Sequence, residues 1–208
     1  MAKKVKKPQA RSIETRRLLL DAAREIFVRD GYERAQIDEI AAAAGRTKGA
    51  IYGHFKDKED LFLALFDERA KQDMEAVVAR MGTGTDKALN LAGLRSFYAE
   101  LASDRSWAIL TLEFKLYSMR YPEVRERLRR AYRHNRPRDM EARFREVFGA
   151  VAADPRVEIE GCVAALSPIL CGLMLESAFE PRLFSSKKLS FYLEMLFDAL
   201  IAREDSAI

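Results

Sequence analysis

Apolar residues recur along most of the chain at the three- and four-residue spacing of an amphipathic helix. No stretch alternates apolar and polar residues in the manner of a strand. In the first segment the apolar residues that share one helical face are Leu19, Ala22, Ala23, Ile26 and Phe27. Ser12 is placed to cap this helix and Gly31 to end it. The pattern predicts an all-α fold of about nine helices.

Eight further helices are predicted beyond Gly31. They cover about 38–44, 47–55, 57–80, 86–103, 105–120, 122–151, 155–179 and 186–203. Thr47 and Asp57 are placed as N-caps of the third and fourth helices, and Asp60 follows Asp57 as in a capping box. Pro137 and Pro168 lie inside apolar-periodic stretches, so we expect them to kink or break their helices.

Composition narrows the class of protein. The chain has 208 residues of which 49% are hydrophobic, enough for a packed core. Cys162 and Cys171 are its two cysteines, and their spacing places them on opposite sides of a helix, as buried thiols in a reducing compartment. No signal peptide is apparent, and no apolar run reaches the roughly 20 residues that span a bilayer. We therefore predict a cytoplasmic protein with no membrane partner.

Positive charge is concentrated at the N-terminal end. Residues 1–60 hold 14 Lys and Arg against 10 Asp and Glu, whereas the remaining residues hold 22 of each. Such a local surplus is typical of a nucleic-acid-binding region. The arm from Lys3 to Arg11 has five basic residues and no acid. It has two interpretations: a solubilising tail, or an arm that follows the phosphate backbone or enters the minor groove.

The segment from Gln36 to Phe55, QIDEIAAAAGRTKGAIYGHF, has the pattern of two short helices joined by a tight turn. Ile40 is spaced to face inward, and the alanines that follow it allow close helix contact. Gly45 supplies the turn, and Ile51 packs the second helix back. This arrangement predicts a helix-turn-helix, whose second helix presents its N-terminal end to the major groove of DNA.

From about Thr15 to Phe66 the chain resembles the TetR family of bacterial transcriptional regulators. The matching positions are Thr15, Ala22-Ala23, Phe27, Gly31-Tyr32, Ile40-Ala41, Ala44-Gly45, Lys48-Gly49, Ile51-Tyr52, His54-Phe55, Lys58-Glu59 and Leu61. The resemblance implies an N-terminal arm and three-helix helix-turn-helix domain at 1–58, and a larger helical ligand-binding and dimerisation domain at 59–208. It also implies a repressor that a small effector releases from a palindromic operator.

Position in the motif and the resemblance together predict a set of DNA-binding residues: Gln36, Arg46, Thr47, Lys48, Gly49, Tyr52, His54 and Lys58. The exposed end of the recognition helix begins at Thr47, where Lys48 reaches a base edge or a phosphate. Tyr52 and His54 match family positions that contact the DNA backbone. Their alternatives are a core aromatic and a structural or merely exposed histidine.

Two departures from the family concern base preference. The family commonly has Thr or Ser where Ala35 and Gln36 stand, so the usual hydroxyl cap of the second helix is missing. Gln36 instead reaches a phosphate or a base. Arg46 stands where the family often has Val, and its guanidinium adds a phosphate or guanine contact.

Aromatic and apolar stripes run through the C-terminal part, and core packing is their simplest interpretation. The resemblance implies an effector pocket between such helices, and the best lining candidates are Trp107, Phe114, Tyr117, Phe144 and Met174. A pocket of this composition suits an apolar or aromatic small molecule.

The last two predicted helices are apolar on more than one face, which predicts burial on both sides. A homodimer provides the second side, with the interface residues Val163, Leu193, Leu196 and Leu200. Residues 121–145 hold nine arginines against four acids. They form either a charged solvent face or a site for an anion.

Two other functional classes compete with a transcriptional regulator. An enzyme has little support, since the chain has two histidines, no metal-ligand spacing and no glycine-rich phosphate loop. We therefore predict no catalytic residue, no metal and no cofactor. An architectural DNA-binding protein without a ligand stays possible if the C-terminal helices enclose no cavity.

Overall fold

The computed structural model describes residues 7–81, 87–134 and 159–201, and these contain nine helices and no strand. Their bounds are α1 Lys7–Asp30, α2 Ile37–Ala43, α3 Lys48–Tyr52, α4 Lys58–Met81, α5 Lys87–Leu101, α6 Arg105–Arg120, α7 Pro122–His134, α8 Ile159–Phe179 and α9 Ser186–Ile201. The all-α prediction is confirmed. None of these helices combines the length and hydrophobicity needed to cross a membrane.

Several helix boundaries differ from prediction. α1 begins at Lys7, so Ser12 lies inside the helix and is not its cap. α3 ends at Tyr52, because Gly53 and His54 continue as a turn. α8 runs through Pro168 without the predicted break. Residues 1–6, which include part of the basic arm, and residues 135–158, which include Pro137, lie outside the described ranges.

The chain divides into two compact units. Residues 1–70 and 113–134 form the first, which we call the N-terminal unit, and residues 71–112 and 135–208 form the C-terminal unit. The divisions therefore fall inside α4 and α6. These units are defined by packing, and the functional boundary at residue 58 stays a prediction.

Aromatic rings fill the core of the N-terminal unit. Phe62 of α4 stacks on Phe114 of α6 with centroids 3.9 Å apart. The ring of Tyr32, just after α1, meets Phe114 edge-on at 4.7 Å and Phe62 at 5.3 Å. Phe27 contacts both Tyr32 and Phe62. Such pairs add about 0.5–1.5 kcal/mol each beyond the burial of their area, so they hold α1, α4 and the C-terminal half of α6 together.

The core of the C-terminal unit is aliphatic by contrast. Its most deeply buried members come from α4, α5 and α8: Met81, Leu94, Leu170 and Met174. Leu189 and Leu193 add α9 to the same cluster. Gly93 allows the backbones of α4 and α5 to approach closely, since a Cβ there would lie 2.4 Å from the carbonyl oxygen of Arg80.

Candidate nucleic-acid interface

The predicted helix-turn-helix is formed by α2 and α3. α2 packs on α1 and α3 on α2, with Ile40 and Ile51 both fully buried between them. Gly45 adopts φ 63° after α2. Its N–H donates to Ala42 O, and the N–H of Arg46 donates to Ala41 O, both at 2.9 Å. This pair of bonds is the Schellman motif, which ends α2 and turns the chain into α3.

Four of the predicted DNA-binding residues are exposed along α3 and at its N-cap. Thr47, Lys48, Gly49 and Tyr52 are exposed, whereas Ile51 faces the core. Tyr52 is 53% exposed, so the alternative of a core aromatic does not apply to it. Thr47 has extended backbone, and its hydroxyl makes no capping hydrogen bond, which leaves it available at the entrance of the helix.

Lys48 is held by an acid on the neighbouring helix. Its Nζ lies 3.0 Å from Asp38 Oδ2, across the turn that joins α2 to α3. This hydrogen bond with Asp38 raises the pKa of the Lys48 ammonium. The sequence does not single out Asp38, although its place in the first turn of α2 was a usable signal.

Gln36 and Arg46 flank the two helices. Gln36 occupies the N-cap position of α2 with extended backbone, and its side chain makes no capping bond. Its Nε2 donates to Arg34 O at 3.1 Å instead. A guanidinium nitrogen of Arg46 donates to Gly45 O at 3.0 Å. Both side chains are exposed, and their contacts with DNA stay predictions.

His54 and Lys58 are less exposed. His54 is half-buried, with its ring centroid 6.2 Å from that of Phe55. The Lys58 Nζ donates to Glu33 O at 3.0 Å and Ala35 O at 3.3 Å, and it lies 4.8 Å from the ring centroid of Tyr32. Burial lowers the pKa of this ammonium. Two of its three N–H donors bind these carbonyls, so a phosphate contact from Lys58 uses the third donor or replaces one of these partners.

The start of α4 is fixed by interactions that sequence reasoning missed in part. Asp57 caps the helix as predicted, since its Oδ1 accepts the Asp60 N–H at 2.6 Å. Asp60 reaches back to the N–H of Lys56, one residue earlier than in a standard capping box. Arg127 of α7 contacts both acids, at 3.4 Å from Asp57 and 3.1 Å from Asp60. No local signal marks Arg127, because its partners are distant in sequence.

The C-terminal half of α6 makes two more polar contacts within the N-terminal unit. The Tyr117 hydroxyl donates to Glu59 Oε1 at 2.7 Å. Burial and this bond raise the pKa of Tyr117 to about 12. Glu113 Oε1 accepts the backbone N–H of Glu33 at 3.3 Å, beside Gly31. These bonds link α6 to the start of α4 and to the loop before α2.

The arginines of α7 are mostly on its outer side. Val124 and Leu128 are buried on the inner face. Arg129 and Arg130 are exposed and pair with Glu126 of the same helix. Within the described part of the predicted 121–145 stretch, this pattern favours the charged solvent face. The remainder of the stretch, residues 135–145, lies outside the described residues.

The predicted effector-lining residues fall in different places. Trp107 and Met174 are buried in the C-terminal unit. Phe114 and Tyr117 belong to the aromatic cluster of the N-terminal unit, where neighbouring rings occupy the space around them. Phe144 lies outside the described residues. Core packing, the simpler interpretation, accounts for Phe114.

One cleft within the C-terminal unit lies between α5 and α9. Its volume is about 280 Å³, and its lining is mixed: Arg95, Ser96, Tyr98, Ala99, Ser190, Leu193 and Glu194. None of the predicted effector-lining residues belongs to it. Among the described residues no group of three His, Cys, Asp or Glu is arranged to hold a metal ion.

The predicted dimer residues are also distributed unevenly. Leu193 is 8% exposed and sits in the core of the C-terminal unit. Leu196 is half-buried, and the side chains of Val163 and Leu200 are outside the described set. Among the described side chains of α9, the exposed large apolar residues are Phe191 and Met195, at 57% and 54%. The assignment of Val163, Leu193, Leu196 and Leu200 to a dimer interface stays a prediction.

A buried scaffold that presents the exposed face of a short second helix defines the helix-turn-helix class of DNA-binding domains. Residues 19–65 match the family model described as bacterial regulatory proteins, tetR family. Residues 19–65 therefore form a DNA-binding domain of the TetR type, which confirms the resemblance found in the sequence.

Individual relatives support the same assignment. The chain is 36% identical over 96 residues to the fatty acid metabolism regulator protein of Bacillus subtilis, covering 45% of this chain and 48% of that protein. It is 46% identical over 67 residues to the HTH-type transcriptional regulator AcrR of Shigella flexneri, covering 32% and 30%. The matched region thus spans less than half the length of these two relatives.

The fold extends further than the sequence similarity. The crystal structure of the transcriptional regulator FadR from Bacillus subtilis, solved in complex with stearoyl-CoA, superposes with a TM-score of 0.67. The superposition covers 91% of this chain and 99% of that chain at 21% identity. An N-terminal helix-turn-helix followed by a larger helical region is therefore the fold of this chain.

Proposed function

We propose that this protein is a transcriptional repressor that binds a palindromic DNA operator as a homodimer and is released by a small, largely apolar effector. The observation that carries the proposal is the exposed face of α3. Thr47, Lys48 and Tyr52 point outward there, while Ile51 anchors the helix in the core. Donors presented in this way match the hydrogen-bonding edges of the major groove and the flanking phosphates.

Dimerisation follows from the operator geometry that this class of domain requires. Two recognition helices read two half-sites about one helical turn apart, roughly 34–36 Å. The exposed apolar residues of α9, Phe191 and Met195, supply a surface for the second copy. The effector proposal rests on the stearoyl-CoA complex of FadR from Bacillus subtilis, whose fold this chain shares. We further propose that the protein is not an enzyme and that it acts in the cytoplasm.

Selection of bound sequences from random DNA tests the proposal. We expect a palindromic consensus, and affinity for it that falls steeply as salt rises. Lys48→Ala is expected to weaken binding to the selected duplex about tenfold, in line with the loss of one base or phosphate contact. Its melting temperature is expected to match that of the parent, since Lys48 is exposed. A variant that binds the selected site as tightly as the parent would remove Lys48 from the interface.

The effector is tested on the same complex. Straight-chain acyl-CoA esters and free fatty acids, titrated against the protein–operator complex, are expected to lower its affinity. Coupling is reciprocal, so operator DNA must weaken binding of the same ligand by the same factor. If no apolar ligand shifts DNA binding, the architectural DNA-binding alternative is favoured.

A further inference from the structure

An acid lies on the same exposed surface as the principal DNA-binding candidate. The Asp38 carboxylate, in the first turn of α2, accepts a hydrogen bond from the Lys48 ammonium at 3.0 Å. The two side chains are 68% and 53% exposed. A carboxylate on a surface that meets DNA repels the phosphates, so its presence there calls for a physical explanation.

Stability does not explain the pair. Exposed ion pairs contribute little to folding, because water screens both charges and the side chains lose freedom. α2 and α3 are already joined by the buried Ile40 and Ile51 and by the bonded turn at Gly45. Loss of the Asp38–Lys48 pair leaves all of those contacts in place.

The electrostatic effect of the pair on DNA is larger. A free lysine near a duplex binds any phosphate and releases about one counterion, whatever the base sequence. With Asp38 in contact, the positive charge of the ammonium and the negative charge of the carboxylate largely cancel at distances longer than the pair itself. Moving Lys48 onto an arbitrary phosphate exchanges one ion pair for another and leaves Asp38 uncompensated beside a polyanion.

At the edge of a cognate base, Lys48 can form a new hydrogen bond without losing Asp38. The ammonium of Lys48 has three donors, so it can donate to O6 or N7 of a guanine while it retains Asp38. The remaining acceptor capacity of Asp38 suits the amino group of a cytosine in the major groove. The pair therefore tolerates a G·C base pair better than it tolerates a bare phosphate.

We propose that Asp38 is a specificity-determining residue of the DNA interface, which restrains Lys48 and thereby suppresses binding to DNA of unrelated sequence. This inference rests on the proposed function, since it concerns the selectivity of the same surface. Asp38 acts in two ways: it holds the ammonium of Lys48, and it offers an acceptor to the base edge.

The test compares Asp38→Asn with the parent on two duplexes of equal length, one selected by the parent from random DNA and one of unrelated sequence. For the unrelated duplex, Asp38→Asn is expected to bind about tenfold more tightly at low salt. The slope of log affinity against log salt is expected to steepen by about 0.9 for each freed lysine. Affinity for the selected duplex is expected to change much less, so the ratio between the two affinities falls.

Glu39→Gln is the matched control. Glu39 occupies the same turn of α2 and is also exposed, but it pairs with Arg29 at 3.1 Å. Its removal changes the net charge by the same amount without freeing Lys48. A second control places Asp38→Asn in a Lys48→Gln background, where only the general charge effect remains and the result is expected to match Glu39→Gln.

Three results overturn the inference and leave the proposed function intact. The first is an equal gain in unrelated-sequence binding from Asp38→Asn and Glu39→Gln. The second is a gain that persists undiminished in the Lys48→Gln background. The third is that the parent binds duplex DNA but Asp38→Asn changes neither the ratio of the two affinities nor the salt slope. A parent that binds no duplex at all overturns the proposed function and this inference together.

Discussion

Gly31 and Gly45 have the same backbone conformation in different surroundings. Their φ angles are 79° and 63°, in the left-handed region that glycine adopts readily. A Cβ at Gly31 would lie 2.8 Å from Glu113 Oε1, whereas one at Gly45 would meet no described atom within 4 Å. A side chain at Gly45 therefore has only the cost of the left-handed conformation, whereas one at Gly31 also has the cost of a close neighbour.

Alanine at each position measures this difference. Gly45→Ala is expected to lower the free energy of unfolding by about 1–2 kcal/mol, the cost of a left-handed alanine. Gly31→Ala is expected to cost more, because Glu113 must move and its bond to the Glu33 N–H weakens. Urea unfolding measures both. Equal costs, or an excess at Gly31 that survives Glu113→Ala, would contradict the role given to Glu113.

Tyr117 predicts a response to alkaline pH. Burial raises the pKa of its phenol to about 12, from an unfolded value of about 10. Between these values the unfolded chain has released the proton and the folded protein retains it, so stability falls as pH rises. Tyr117→Phe is expected to make this fall shallower in urea midpoints measured from about pH 9 to about 11. Tyr52→Phe, at an exposed tyrosine, is the control, and the same slope in both variants would count against Tyr117.

At the scale of the helix, Arg127 links α7 to the start of α4. Arg127 contacts Asp57 and Asp60, and these side chains are about one-third to two-fifths exposed. Arg127→Ala is expected to destabilise the protein by about 1 kcal/mol at low salt, and by less at high salt. Arg129→Ala removes an exposed pair within α7 and is expected to have little effect. Denaturant unfolding at two salt concentrations makes the comparison. Equal effects would mean that Arg127 is no more than another surface charge.

The helices differ in how far the sequence predicts them. The turn at Gly45 and the inward position of Ile51 follow from residues close together in the chain, so the helix-turn-helix was predicted closely. Periodicity identifies the apolar face of α6, but it does not identify what covers that face. The sequence is therefore compatible with two positions for Phe114, lining a ligand pocket or packing in a core. In the structure its ring stacks on Phe62. Arg127 was missed for the same reason, since its partners lie in another helix.

At the scale of the whole molecule, α9 contributes residues both to a buried core and to the exposed surface. Leu193 faces the core of the C-terminal unit, while Phe191 and Met195 are exposed. The double variant Phe191→Ser and Met195→Ser is expected to weaken the proposed dimer while the fold is retained. Leu193→Ser is expected to unfold the C-terminal unit, because it buries a hydroxyl in an aliphatic core. Light scattering and circular dichroism distinguish these outcomes, and a parent that is monomeric at micromolar concentration would rule out the interface.

The division of the N-terminal unit into two chain segments has a consequence for protein synthesis. By the time residue 70 has been added, the whole helix-turn-helix has been translated, but the ring of Phe114 that covers Phe62 and Tyr32 has not. α7, with Arg127, arrives only when translation reaches residue 134. At about 5–20 residues per second, this delay lasts several seconds. A nascent chain therefore contains its whole recognition helix several seconds before the N-terminal unit can complete its packing.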